Sequence, residues 1–217
     1  MWDWQYTLSF MPDLMKALIT TISATLVGFL LAVVLGLPLV LGRRSNFKPL
    51  ALLTTGFIEF FRSTPLLAQI YFIFYVFPKY GISFSPFAAG VIALGLHYAT
   101  YLSEVYRSGI ESIPKGQWEA AAALNFSRIR TWVSIIIPQA IPPVVPVMGN
   151  YLIGMFKDTP ILSAITLVEI LQTAKIIGAH SFRYLEPITM VGILFLLLSY
   201  ISSVGVRKLE LRLNQRY

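Results

Sequence analysis

Uncharged apolar runs separated by short polar breaks dominate this chain. Residues 17–42 carry no charge, and about 20 apolar residues are enough for a helix to cross a bilayer. The run lacks the small-residue cleavage site of a secretory signal, so it reads as a retained helix. Further runs at 50–78, 86–106, 135–156 and 187–206 predict four more spans, with a turn at Lys79, Tyr80 and Gly81 between the second and third. Ahead of the first run, Trp2, Trp4 and Tyr6 are residue types that favour the membrane interface. Residues 157–186 alternate short apolar pieces with Lys157, Asp158, Glu169, Lys175 and Arg183. They read as a segment outside the membrane with one or two short helices. The pattern predicts an all-α integral membrane protein of five transmembrane helices, a single domain over residues 1–217.

The longest polar break, residues 114–134, has a pattern of its own. Residues 117–124 predict a short helix, since four consecutive alanines are the best helix formers and leave a smooth surface. Asn125 then stands where a helix end needs a left-handed residue, which Asn tolerates second only to Gly. Ser127 follows as an N-cap for a second helix running to Pro138. Two short helices therefore meet at a corner, with Glu119 and the alanine face turned outward. Small side chains permit close approach of a partner, and one charge sets its register. An interfacial loop helix without a partner is the plainer alternative.

Composition narrows the picture. A chain with 56% hydrophobic residues, 12% charged and a mean hydropathy of +0.71 is no soluble domain. Basic residues outnumber acidic ones, 17 to 10, but they fall between apolar runs, so no nucleic-acid partner is expected. Without cysteine there is no disulfide framework, thiolate nucleophile or Cys-ligated metal. Without a Gly-rich phosphate loop, any nucleotide hydrolysis belongs to a separate chain, and this one is not expected to be an enzyme. Arg43, Arg44, Lys48, Arg107, Lys115, Arg128, Arg130, Arg207, Lys208, Arg212 and Arg216 fall on one side of the spans. Only Lys16, Lys79, Lys157, Lys175 and Arg183 fall on the other. The richer side is expected in the cytoplasm, which puts the N-terminus outside, and the corner and C-terminus inside. The stretch from Arg207 to Arg216 reads as a snorkelling anchor to membrane lipid.

Polar groups inside spans are costly and so face protein or water. Glu59, Arg62 and Gln69 share one helical stripe, His97, Tyr101 and Glu104 a second, and Asn150, Gly154 and Lys157 a third. Three stripes on successive helices predict convergence on one pathway. The pairs Glu59–Arg62 and Glu104–Arg107 read as local ion pairs near the membrane surface. Gln69, Asn150 and Lys157 have no partner in reach on their own helices, so they are candidate pathway residues. His97, with His180 far off, makes neither a metal site nor an acid–base pair; it is a hydrogen-bonded bundle residue or a pathway contact. Pro65, Pro138, Pro142, Pro143 and Pro146 are expected to bend their helices.

Several ordered motifs together carry a resemblance. Glu119-Ala120-Ala121, the turn residue at 125 and the Ile-Pro-Gln run ending at Gln139 resemble the EAA loop of ABC importer permeases. Residues 61–67 (FRSTPLL), 104–110 (EVYRSGI), 114–117 (PKGQ) and 157–159 (KDT) are similar to the polar amino acid uptake type. The likeness covers almost the whole chain. Asn125 replaces the family's usual Gly, and with Trp118 and residues 156–160 (FKDTP) it resembles the ectoine/hydroxyectoine branch.

The resemblance implies a type I importer architecture whose cytoplasmic loop 114–134 couples to an ATPase. Gly116, Glu119, Ala120, Ala121 and Asn125 would be the coupling residues, and Gln69, His97, Asn150 and Lys157 the candidate pathway. It also implies two ATP-binding cassette ATPase subunits, an extracytoplasmic substrate-binding protein and a second permease subunit, in a bacterial inner membrane. No cofactor or metal is implied. The rival reading is a stand-alone ion-coupled carrier, which calls for an internal repeat that this sequence lacks. A mere membrane anchor fits poorly with the polar stripes.

Overall fold

The structure is a computed structural model and describes residues 2–214. Among the described residues all regular elements are helical. Helix α1 (Trp4–Arg43) starts well before the predicted first span. Asp3 accounts for the early start: its carboxylate accepts from the Tyr6 backbone N–H at 3.0 Å, satisfying one of the free donors of the first turn. Those N–H bonds, and then Arg183, hold the Asp3 carboxyl below its ordinary value. Arg183 pairs with Asp3 at 3.3 Å and with Glu186, tying the start of α1 to the start of α9 (Leu185–Asn214). Arg216 of the expected C-terminal anchor lies outside the described residues.

The predicted second span is broken. Helix α2 (Lys48–Ser63) and α3 (Leu66–Tyr71) meet at 105°, with α3 running on through one wide and one tight turn to Tyr80. Pro65 is the cause: it lacks an N–H and forces Thr64 out of helical geometry, and both residues are extended. The carbonyls freed at the break are not left bare. Gln69 Nε2 donates to Phe61 O at 2.8 Å, Thr64 O at 3.1 Å and Thr64 Oγ1 at 2.8 Å. A backbone break inside a membrane protein persists only where such partners exist.

Helix α4 (Pro86–Glu111) is the centre of the bundle. Ala89, Ala93, Leu94, Ala99 and Leu102 are fully buried, chiefly against α1. The two backbones approach closely because glycines face the contact. A Cβ at Gly36 would lie 2.9 Å from the Tyr106 ring and 3.3 Å from the Ala99 carbonyl; one at Gly95 would lie 2.5 Å from Leu31. Trp4–Arg43, Arg128–Ile165 and Leu185–Leu213 have the length and apolarity of spans, and the bent pair makes a fourth. Helix α4, predicted as a span, does not qualify on apolarity, because His97, Thr100, Tyr101, Ser103 and Glu104 dilute it. Its polar residues are carried inside the bundle instead.

Helix α5 (Lys115–Ala123) and α6 (Arg128–Thr131) form the predicted corner. A single wide turn, Trp132–Ile136, joins α6 to α7 (Ile137–Asp158) just before Pro138. Pro142, Pro143 and Pro146 lie within α7, which continues through them. After a tight turn at Thr159–Ile165, α8 (Ile170–Ser181) is the expected short helix of the 157–186 segment. The fully buried Glu169 caps it, accepting from the N–H groups of Leu171 at 3.0 Å and Gln172 at 2.7 Å. Burial nevertheless pushes its carboxyl above the ordinary value.

Candidate functional site

Polar groups gather in a cleft of about 540 Å³ between α4 and α7. The helical repeat brings His97, Tyr98 and Tyr101 of α4 to one wall, and Asn150, Tyr151 and Asp158 of α7 to the other. Tyr98 donates its phenol proton to Asp158 Oδ2 at 2.7 Å, and the Tyr101 and Tyr151 rings lie 5.8 Å apart. The lining thus offers aromatic faces, hydroxyl groups, one amide and one carboxylate. Such a site can hold the ammonium or amidinium of a small polar solute while its apolar body rests on the rings.

The predicted pathway residues separate here. His97 and Asn150 line the cleft. Gln69 stands behind it, buried, with its Oε1 3.2 Å from His97 Nδ1 and its amide nitrogen bracing the α2–α3 break. The expectation that Gln69 lacks a nearby partner fails, because the Pro65 break turns the preceding carbonyls toward it. Lys157 is exposed and not part of the lining; the neighbouring Asp158 is. Asn150 and Gly154 of the expected stripe line the cleft; only its last member, Lys157, turns away, and Asp158 stands there instead, at helical spacing from Tyr151 and Gly154.

An ion network lies on the same helix, a turn beyond Tyr101. Glu104 pairs with Arg43 of α1, with Arg62 of α2 at 3.6 Å and with Arg107 at 2.8 Å. Glu111 takes Arg107 at 2.5 Å and Arg44 at 3.3 Å. The local Glu104–Arg107 pair is as expected. Arg62 instead bypasses Glu59 for Glu104, and its guanidinium sits 5.4 Å from the Tyr101 ring centre. Glu59 is exposed and makes no ion pair among the described residues. Glu104→Gln should therefore crowd three guanidiniums around a neutral amide. About 1.5–3 kcal/mol of stability should go, toward the lower end because the arginines are about a third exposed. Thermal unfolding in detergent, with Glu59→Gln as reference, reads this directly. Equal midpoints for the two variants would remove Glu104 as the tie between α1, α2 and α4.

The corner is built as a separate unit. Asn125 has φ of 53°, its N–H donates to Ala122 O at 2.9 Å, and the Phe126 N–H donates to Ala121 O at 3.0 Å. This crossed pair ends α5 through a left-handed residue. Ser127 Oγ accepts from the Arg130 N–H at 3.3 Å as the N-cap of α6. Trp118 and Trp132 meet edge to face at 5.2 Å and pack over Ile113, Ile136 and Ala140, fixing the angle between the helices. Gly116, Glu119 and Ala120 are exposed, but Ala121, expected on the docking face, is 1% exposed and belongs to the interior. It faces inward because the corner closes on it. Ala120, Ala122 and Ala123 keep the expected outward alanine face, and Leu124 and Ile129, 67% and 78% exposed, extend its apolar area.

The sequence and fold have known relatives. The family model described as binding-protein-dependent transport system inner membrane component matches residues 24–215. A probable amino-acid ABC transporter permease protein of Sinorhizobium fredii, y4tG, is 45% identical, over 97% of this chain and 91% of its own length. The L-cystine transport system permease protein TcyB of Bacillus subtilis is 35% identical, over 93% and 88%. Among solved structures, the crystal structure of an amino acid ABC transporter with histidines superposes with a TM-score of 0.92 at 31% identity, covering 98% of this chain and 99% of that one. The MetNI methionine ABC transporter shares the fold, with a TM-score of 0.80 at 19% identity. The chain belongs to the binding-protein-dependent transport system inner membrane component family, a family of transporter permeases.

Proposed function

We propose that this chain lines the pathway of an ATP-driven importer carrying a polar amino acid, or an amino-acid-like compatible solute such as ectoine or hydroxyectoine, into the cytoplasm. The cleft between α4 and α7 carries the reading: one carboxylate among tyrosines suits a small solute with a positive nitrogen. The relatives point the same way, being described as permeases for amino acids and L-cystine. Two permease subunits, two ATPase subunits and an extracytoplasmic binding protein complete the assembly. ATP-driven closure of the ATPases moves the 114–134 corner, and the spans open the cleft outward. Specific naming of ectoine rests on Trp118, Asn125 and residues 156–160 alone.

The deciding measurement is uptake into proteoliposomes holding this chain and its ATPase. Uptake should require internal ATP and the binding protein, and an imposed proton or sodium gradient should drive none. Gradient-driven uptake without ATP would establish the ion-coupled carrier instead. Orientation has its own test. Cysteines placed at Asn46 or Ser127 should react only with reagents applied from the cytoplasmic side, and those at Ser83 or His180 only from outside. The exposure of Asn46, Ser127, Ser83 and His180 makes all four reactable. Labelling of position 127 from outside would invert the topology and remove the corner from any ATPase.

A further inference from the structure

We propose that the groove between α1 and α8 is a binding site for an amine-bearing zwitterionic phospholipid headgroup, with phosphatidylethanolamine chemistry. The groove, of about 410 Å³, is lined by Asp13, Lys16 and Thr20 of α1 and by Thr173, Ile176 and Ile177 of α8, among others. Lys16 Nζ and Asp13 Oδ1 are 3.9 Å apart, and their side chains are 80% and 62% exposed. Both are thus open to a second partner of the opposite charge. Thr173 is 8% exposed, and its Oγ1 is shut off from solvent with no hydrogen-bond partner. The groove wall closes over this hydroxyl, so a headgroup in the groove meets the Asp13 and Lys16 charges rather than Thr173.

Depth chooses a lipid over a soluble zwitterion. Lys16 directly precedes the uncharged run 17–42, so Asp13 and Lys16 stand where the hydrocarbon ends and headgroups begin. Beside them Leu8, Met15, Ile19, Leu26 and Leu30 form an exposed apolar stripe along α1. Val168 and Ile176 are also exposed at the groove, 51% and 38%. An acyl chain covers such a stripe while the headgroup meets the charges. The Lys16 ammonium takes the phosphate and the Asp13 carboxylate takes the lipid ammonium. Phosphatidylcholine has no N–H to donate to Asp13, and phosphatidylglycerol has no cation to offer it.

Native mass spectrometry of the purified full-length chain in detergent, with equimolar phosphatidylethanolamine, phosphatidylglycerol and phosphatidylcholine, tests this. The parent chain should retain phosphatidylethanolamine about tenfold over either competitor, the scale of one charge-assisted hydrogen bond. The Asp13→Asn/Lys16→Gln double variant should lose the preference. Asp13→Asn alone, at an exposed position, keeps Lys16 for the phosphate and should bring phosphatidylethanolamine down to the level of phosphatidylcholine. Thermal unfolding in lipid-free detergent reports whether each variant is folded; if the double variant is not, Asp13→Asn decides. Equal retention of all three lipids, or an unchanged preference in the deciding variant, overturns the proposal. So does displacement by excess free glycine, which would make this a site for a soluble zwitterion. Displacement by dimerisation of the chain would make the groove a subunit interface, with the same consequence.

Discussion

Transport by the Asp158→Asn variant should need substrate at about ten to a hundred times the parental concentration, with the protein otherwise intact. The estimate is the worth of a hydrogen bond to a charged group, about 1.5–3 kcal/mol, expressed as affinity. Asn keeps an oxygen that can accept from the Tyr98 hydroxyl, so the 2.7 Å contact between α4 and α7 survives the change. Only the charge is lost, and Asp158 supplies the single carboxylate of the cleft lining. Tyr98→Phe is the complementary variant. It removes the donor and frees the carboxylate, so it should alter transport less than Asp158→Asn does. Concentration dependence of uptake in proteoliposomes, with ATP hydrolysis measured alongside, separates weak binding from poor assembly. Parental affinity in Asp158→Asn would take the cleft out of the pathway.

Lys157 shows where sequence reading reaches its limit. An unpaired lysine at the end of an apolar run looks functional, and on a helix the adjacent residue points about 100° away. Nothing in a single sequence fixes that rotation; the packing of α7 on α4 does, and it turns Asp158 inward. Gln69 is a similar case. Its partners come from a 105° break that Pro65 announces but whose direction depends on α4 and His97. Local features were easier to read, because they depend on a few neighbouring residues. The left-handed Asn125, the Ser127 cap and the short helices after 157 all follow from side-chain geometry within one turn. Ala121 lies between these extremes. A run of four alanines reveals a helix but not which of its faces the corner will bury.

Substrate-stimulated ATP hydrolysis should fall to the unstimulated level in Asn125→Val and remain near parental in Asn125→Gly. At φ of 53° a β-branched side chain clashes with its own backbone, and holding it there costs about 1–3 kcal/mol. The chain can relieve that cost by giving up the two bonds that close α5, from the Asn125 and Phe126 N–H groups. The Trp118–Trp132 contact then no longer sets the angle, and the exposed Glu119, Leu124 and Ile129 lose their fixed arrangement around the corner. Glycine adopts the same conformation freely, so it leaves the corner as it is. Glu119→Ala examines the face without disturbing the turn. Glu119 is exposed and forms no ion pair among the described residues, so its loss should spare the fold. If it meets a basic group of the ATPase in a desolvated contact, stranding that group costs about 3–5 kcal/mol. That is enough to abolish coupling. Ala121→Leu is no probe of docking, since a leucine there would overpack the interior of the corner and disrupt it from within. Full stimulation in both Asn125→Val and Glu119→Ala would show that force from the ATPase enters this chain somewhere else.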